Sequence, residues 1–246
     1  MENIMTKSIG QIVAEDYRTA QVFRDHGIDF CCKGNRGLEE VAKKKALDPD
    51  ALLKEIEAVN QQDRNDSIDF NSWPLDLLAD YIEKTHHRYV EEKIPVLRQY
   101  LNKLCQVHGG RHPELHEIAE QFKEASGALA MHMKKEELIL FPAVRKMVAA
   151  ALSRAPLPVS HFGSVNSPIQ QMMKEHHTEG ERFRLIERLS NSYTPPADAC
   201  STYRVAFSLL REFEEDLHRH IHLENNILFP NSAALENQLK NDSEPV

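Results

Sequence analysis

The chain has 246 residues, 41% hydrophobic and 28% charged, with a formal net charge of −8. That length can bury a sizeable core, either as one large domain or as a medium domain with a small companion. No run approaches the ~20 apolar residues of a membrane span, the start MENIMTKSIGQIVAED has no apolar signal core, and no basic cluster or nucleic-acid-binding signature is present, so a cytoplasmic protein without membrane or nucleic-acid partners is expected.

Nine glycines and few alternating β-branched runs point to an all-α fold. Residues 1–62 read as a small helical domain. SIGQIVAEDYRTAQVFRDHG places Ile9, Ile12, Val13, Tyr17, Ala20 and Phe23 at helical spacing, with Ser8 as N-cap and Gly27 as terminator. The loop IDFCCKGNRG follows, then a helix over LEEVAKKKAL. A third helix is capped by Asp48, with Pro49 at its first position. Residues 63–72 are polar and read as a linker.

Residues 73–246 carry four long helical patterns. Helix A runs from Trp73 or Pro74 to about Val107, with Pro95 inside. Helix B runs from about Pro113 to Ala151, helix C from about Ser167 to Leu189 and helix D from about Asp198 to Leu235, ahead of a polar tail. Pro142 and Pro230 should bend or stop B and D. HGGRHPEL, a Pro- and Ser-rich crossover and NSYTPPAD separate the four, which makes a four-helix bundle.

Helices B and D repeat one phrase, HMKKEELILFP at 132–142 and HIHLENNILFP at 220–230. Helix A carries His86-His87 and helix C carries His176-His177. The interval from His87 to His132 matches that from His176 to His220 to within one residue, so hairpin A–B reads as a relative of hairpin C–D.

A His and a Glu at i and i+4 lie on one helix face. The spacing His-x-x-x-Glu also occurs at His87/Glu91, His116/Glu120 and His177/Glu181. On a solvated face such a pair is only a weak ion pair. The apolar Leu-Phe-Pro that follows Glu136 and Glu224 marks those two as core-facing, where unpartnered carboxylates and imidazoles would be costly. A dinuclear metal site resolves that cost, with four His and two Glu as ligands. Nitrogen and oxygen donors without thiolate favour iron or manganese over structural zinc. Apolar offsets along helices A and C favour His87 with His176, leaving His86 and His177 behind the ligands or solvated. Glu175 is a candidate acid behind the metals. At Ala128, one turn before His132, no carboxylate is available.

Four cysteines make no disulfide framework. Cys31 and Cys32 are adjacent, and a thiol beside Lys33 near a helix start should ionise easily. Cys105 and Cys200 read as semi-buried. His108, His112 and His116 surround a turn and should be exposed, while His218 and His222 should face away from His220.

HxxxE followed by LFP, twice, with a histidine on each of two further helices, resembles the hemerythrin-like di-iron bundle. DFCCKG, then TPPADAC ahead of the last helix, and HIHLENNILFP look like the repair-of-iron-centres family of ScdA and YtfE type. The resemblance runs from about residue 8 to residue 232. It implies a hemerythrin-like four-helix bundle behind a small N-terminal domain, in a bacterial cytoplasmic protein that restores iron–sulfur clusters damaged by nitric oxide or oxidants. By position it implies His87, His132, Glu136, His176, His220 and Glu224 as ligands of two non-haem irons. Glu136 and Glu224 would bridge them, and an oxo or hydroxo group would complete the bridge. It also implies iron–sulfur client proteins, nitric oxide or oxygen as small-molecule ligand, and a role for Cys31 and Cys32 in iron or redox handling or in client contact. Whether the N-terminal domain docks on its own bundle or on the second chain of a homodimer stays open. The rival functions are a di-iron nitric oxide reductase or peroxidase, and an oxygen or iron sensor.

Overall fold

A computed structural model describes residues 4–61 and 68–243. Among them there is no β-strand, only an isolated bridge between Ser8 and Gly37. The N-terminal unit holds α1 (Ile9–Glu15), α2 (Ala20–Asp25), α3 (Leu38–Lys44) and α4 (Pro49–Asn60). Ser8 and Gln11 form a reciprocal capping box on α1. The single helix expected from Ser8 to Gly27 is broken in the middle. Asp16 is extended, and its carboxylate accepts from the Arg18 backbone N–H and holds the Arg18 guanidinium, which starts the turn Tyr17–Thr19 instead. A short acidic side chain that bonds its own neighbouring backbone competes with the helix in this way. Gly27, at φ +60°, ends α2 as expected. Asp48 caps α4, with Pro49 in its first turn.

Of the expected linker, residues 63–67 lie outside the described residues. Its end forms the turn Phe70–Ser72, which buries Phe70 against Trp73 and Tyr81.

Four long helices follow. α5 (75–108) comprises Leu75–Tyr81, a π-helical stretch Ile82–His87, and Arg88–His108, which contains Pro95 without ending. α6 (114–153) comprises Glu114–Lys135, a π turn Glu136–Leu140, and Phe141–Ser153. α7 is Asn166–Leu189. α8 (201–243) comprises Ser201–Leu223, a π turn Glu224–Leu228, and Phe229–Ser243. Pro142 and Pro230 therefore do not stop their helices. The Phe141 N–H bonds back to the Glu136 carbonyl and the Phe229 N–H to the Glu224 carbonyl, five residues earlier. The widened turn takes up the place where proline lacks a donor and its ring would crowd the previous turn.

The buried apolar side chains fall into two clusters. One joins the N-terminal unit (Ile9, Phe23, Phe30, Leu38) to the far half of the bundle (Leu97, Leu129, Phe183, Leu217). The other fills the near half, with Leu78, Ile82, Phe141, Met172, Leu228 and Phe229. Between them along the helices lies a layer of buried His and Glu: His86, His87, His132, Glu136, His176, His220 and Glu224. A polar layer enclosed by apolar packing on both sides is costly unless its charges are paired.

Candidate metal centre

The four long helices each deliver histidine to this layer, and α6 and α8 each add a glutamate one turn later. His87, Glu136, His220 and Glu224 place one donor atom apiece within 4.8 Å of one another; so do His132, Glu136, His176 and Glu224. Glu136 and Glu224 belong to both sets, and each splits its oxygens between them. Glu136 Oε2 lies 3.4 Å from His87 Nε2 and its Oε1 lies 3.3 Å from His132 Nε2. Glu224 Oε1 lies 3.1 Å from His220 Nε2 and its Oε2 lies 3.1 Å from His176 Nε2. His132 Nε2 and His176 Nε2 are 2.9 Å apart. All six donors named by position in the sequence are thus in one cluster with two lobes.

Both carboxylates are 0% exposed. Burial and the facing Glu224 charge would raise the Glu136 carboxyl, but the imidazoles of His132 and His87 hold it below its usual value. Glu224 is held well below the carboxylate range by His220 and His176 against the same burial. Burial would lower the His132 imidazole, yet the Glu136 charge beside it lifts it to about 10. His87 Nε2, both Glu136 oxygens and Glu224 Oε2 have no hydrogen-bond partner although they are enclosed. Unpartnered inward-facing nitrogen and carboxylate oxygen is the donor set of a cation site, and two carboxylates with four imidazoles suit two ions with the carboxylates shared.

The outer ring nitrogens are fixed in turn. His87 Nδ1 lies 3.0 Å from Glu137 Oε1, His132 Nδ1 lies 2.8 Å from Glu175 Oε2 and His176 Nδ1 lies 2.9 Å from Asn225 Oδ1. An acceptor at Nδ1 keeps the proton there and turns Nε2 inward as a donor to metal. Glu175 also binds Lys135 and Gln171, and its bond to His132 holds its carboxyl far below the usual range. Glu137 and Asn225 are the residues that sequence reasoning missed. Each directly follows a bridging-position glutamate and faces the histidine of the preceding helix in its hairpin. The phenylalanines of the two LFP segments repeat the pattern: Phe141 stacks on the His87 ring at 5.6 Å and Phe229 on the His176 ring at 5.9 Å. The signal was available, since both positions sit inside the duplicated phrase.

The paired histidines separate clearly. His86 is buried beside the cluster, with Nδ1 2.9 Å from Asp216 and its ring stacked on His220, but it belongs to neither donor set. His177, expected behind the ligands or solvated, is exposed and faces Glu181, because one residue of helix rotation carries it off the inner face. His108 is buried rather than exposed, 3.2 Å from the Cys200 sulfur, and Cys200 itself is exposed. His222 faces away from the metal layer as expected, but it is buried against Tyr17 and Phe30 of the N-terminal unit.

Cys31 and Cys32 are free thiols 3.7 Å apart, grouped with Asp29. They do not sit at a helix start, and Lys33 pairs with Glu181. The expected easy ionisation therefore fails for Cys31: the Cys32 sulfur beside it, and its burial, push its thiol well up. The loop lies against the metal layer, since the Cys32 thiol donates to the His176 carbonyl at 3.4 Å. A cavity of about 280 Å³ reaches His132 and His176 and is lined by Ala128, Glu175, Glu179 and Arg182. Burial raises the Glu179 carboxyl, despite the Arg182 charge next to it.

No described helix is long and apolar enough to cross a membrane. Two family models match the chain. One, a domain of unknown function (ScdA_N, DUF542), covers residues 5–60, and the hemerythrin HHE cation binding domain covers residues 78–231. The chain is 34% identical to an iron-sulfur cluster repair protein YtfE of Musicola paradisiaca, over 94% of this chain and 97% of the relative. It is 33% identical to a YtfE protein of the same description from Yersinia pseudotuberculosis, over 94% and 98%. It is 32% identical to an iron-sulfur cluster repair protein ScdA of Staphylococcus haemolyticus, over 90% and 95%.

Proposed function

The chain belongs to the family of ScdA/YtfE-type iron–sulfur cluster repair proteins, and we propose that it restores damaged clusters by holding two iron ions and supplying iron to client proteins. The ligands are His87 and His220 in one lobe, His132 and His176 in the other, with Glu136 and Glu224 shared. The observation that carries this reading is the division of each buried carboxylate between the two lobes, which supports two ions that both glutamates would share; an oxo or hydroxo group would complete the bridge. Imidazole and carboxylate hold iron less tenaciously than thiolate does, which suits a donor.

The damage is nitrosative or oxidative in this reading, and the clients are iron–sulfur proteins of the cytoplasm. Nitric oxide or oxygen reaches the irons through the cavity beside His132 and His176. Residues 1–62 are a small helical domain packed on the bundle, whose Cys31 and Cys32 contact the client or handle redox change. The bundle begins after the 63–72 link.

Iron analysis with an absorption spectrum tests the centre. About two irons per chain with oxo-bridge bands are expected in the intact protein, and neither in Glu136→Ala or Glu224→Ala. Transfer of that iron to a client whose cluster has been damaged by nitric oxide, read as recovered client activity, tests the repair. An intact chain that takes up no iron under anaerobic reconstitution overturns the reading. Sustained reduction of nitric oxide to nitrous oxide without loss of iron would assign turnover chemistry instead.

A further inference from the structure

Asn225 stands between the metal layer and the N-terminal unit. It follows Glu224 in the π turn of α8. Its Oδ1 lies 2.9 Å from His176 Nδ1, and its amide Nδ2 donates to the Cys31 carbonyl at 3.1 Å. The same loop grips His176 a second time through the Cys32 thiol on its backbone carbonyl. Gly180, one turn further along α7, leaves the space: a Cβ there would sit 3.1 Å from the Cys32 sulfur. Asn226 adds a bond to the Phe30 carbonyl at 3.2 Å and fits over Gly10 and Gly34, where any Cβ would collide with it.

The chemistry of the Asn225 amide makes these contacts conditional on one another. When His176 Nε2 is a metal donor, its proton resides on Nδ1 and must find an acceptor. Asn225 then presents oxygen to His176 and, being a flat amide, presents its NH2 group to the Cys31 carbonyl. One planar amide thus spans the His176 ring and the Cys31 carbonyl, so a displacement at either end is felt at the other.

We propose that Asn225 is a positioning residue that couples metal occupancy at His176 to the seating of the 29–34 loop on the bundle. The coupling rests on the two-ion reading above. Coupling of this kind is reciprocal: an ion at His176 holds the thiol loop in place, and a partner that draws the loop away loosens the ion. The loop that carries Cys31 and Cys32 thereby reports whether the adjacent lobe is filled.

The test is hydrogen exchange of segment 29–34 and of the Gly10 amide, which bonds Gly34 O at 2.7 Å, with iron content measured on the same samples. Intact protein is compared iron-loaded and after chelation, and Asn225→Asp and Asn225→Leu are treated likewise. In the intact chain iron should slow exchange of the segment by about fivefold or more, the lower end of ordinary coupling. Asn225→Asp keeps an acceptor for His176 but faces the Cys31 carbonyl with a carboxylate. It should retain iron yet lose the iron-dependent protection. Asn225→Leu removes both contacts and should lose the protection together with part of the iron affinity. Unchanged exchange in segment 97–104 of α5 shows that a variant is folded. An intact chain that binds two irons with no change in the loop, or an Asn225→Asp chain that keeps the iron-dependent protection, overturns the coupling and leaves the metal reading standing. An intact chain that binds no iron overturns both.

Discussion

Replacing Glu137 by alanine should loosen one lobe of the metal centre and spare the other. Glu137 Oε1 lies 3.0 Å from His87 Nδ1, while its other oxygen accepts from Lys134 at 2.6 Å. A hydrogen bond to a charged group is worth about 1.5–3 kcal/mol. This carboxylate is 17% exposed and shared with a lysine, which puts it at the lower end. About 1.5 kcal/mol is about a tenfold loss of affinity, the low end of what groups behind metal-bound imidazoles contribute. His87 shares its donor set with His220 and not with His132 or His176, so the loss should fall on one ion. Titrating the iron-loaded protein with a chromophoric ferrous chelator measures this. The variant should release one equivalent at about tenfold lower chelator activity and hold the second as the intact protein does. Glu137→Gln, which keeps an oxygen acceptor, should recover much of the difference. Equal weakening of both ions, or of neither, would refute the assignment of Glu137 to a single lobe.

His176→Ala should abolish binding at one lobe while His177→Ala leaves iron content unchanged, because only the former faces the cluster; metal analysis of the two variants decides it. Gly34→Ala would bring a Cβ to 2.4 Å from the Phe30 carbonyl and 2.6 Å from Asn226 Oδ1. That variant should unseat the N-terminal unit, seen as faster limited proteolysis within residues 28–37 while the bundle stays resistant. Burial lifts the Glu214 carboxyl from 4.5 to about 7. The folded chain then holds a proton that the unfolded chain has released between those two values, so the contribution of Glu214 to stability is fully present below about 4.5 and is lost as pH rises to about 7, by up to ~1.4 kcal/mol per pH unit. Denaturant midpoints at pH 5 and pH 8 should show a smaller difference in Glu214→Gln, and an unchanged difference would remove Glu214 as the cause.

The sequence made the bundle and the six donors legible for a physical reason. Duplication placed the same polar positions in the same apolar frame twice, and an apolar frame around His and Glu demands a partner for them. What stayed hidden had two sources. Pro142 and Pro230 should bend or stop their helices, and the sequence does not show that the π turns just before them absorb the missing donor and let both helices run on. The break at Asp16 was hidden by a helical run of Ile9, Val13, Tyr17 and Phe23, all compatible with a continuous helix; only the reach of one carboxylate to Arg18 stops it. Contacts between distant segments left no periodic trace at all. His222 and Asn226 meet each other one turn apart, at 3.0 Å, but the other groups they face lie around Phe30, far off along the chain.

The two halves of the centre share a plan and differ in their surroundings. Glu137 and Asn225, and Phe141 and Phe229, are matched pairs, so the lobes begin as equals. His87 and His220 are enclosed by Phe141, by the stacked His86 and by its bond to Asp216. His132 and His176 line a cavity, carry Glu175 with its lysine, and meet the Cys32 thiol across the His176 carbonyl. A symmetric donor set explains why two ions would be held. The cavity and the Cys32 thiol lie at the lobe of His132 and His176, which under the proposed function is the side where an ion would exchange with a client or meet a small molecule.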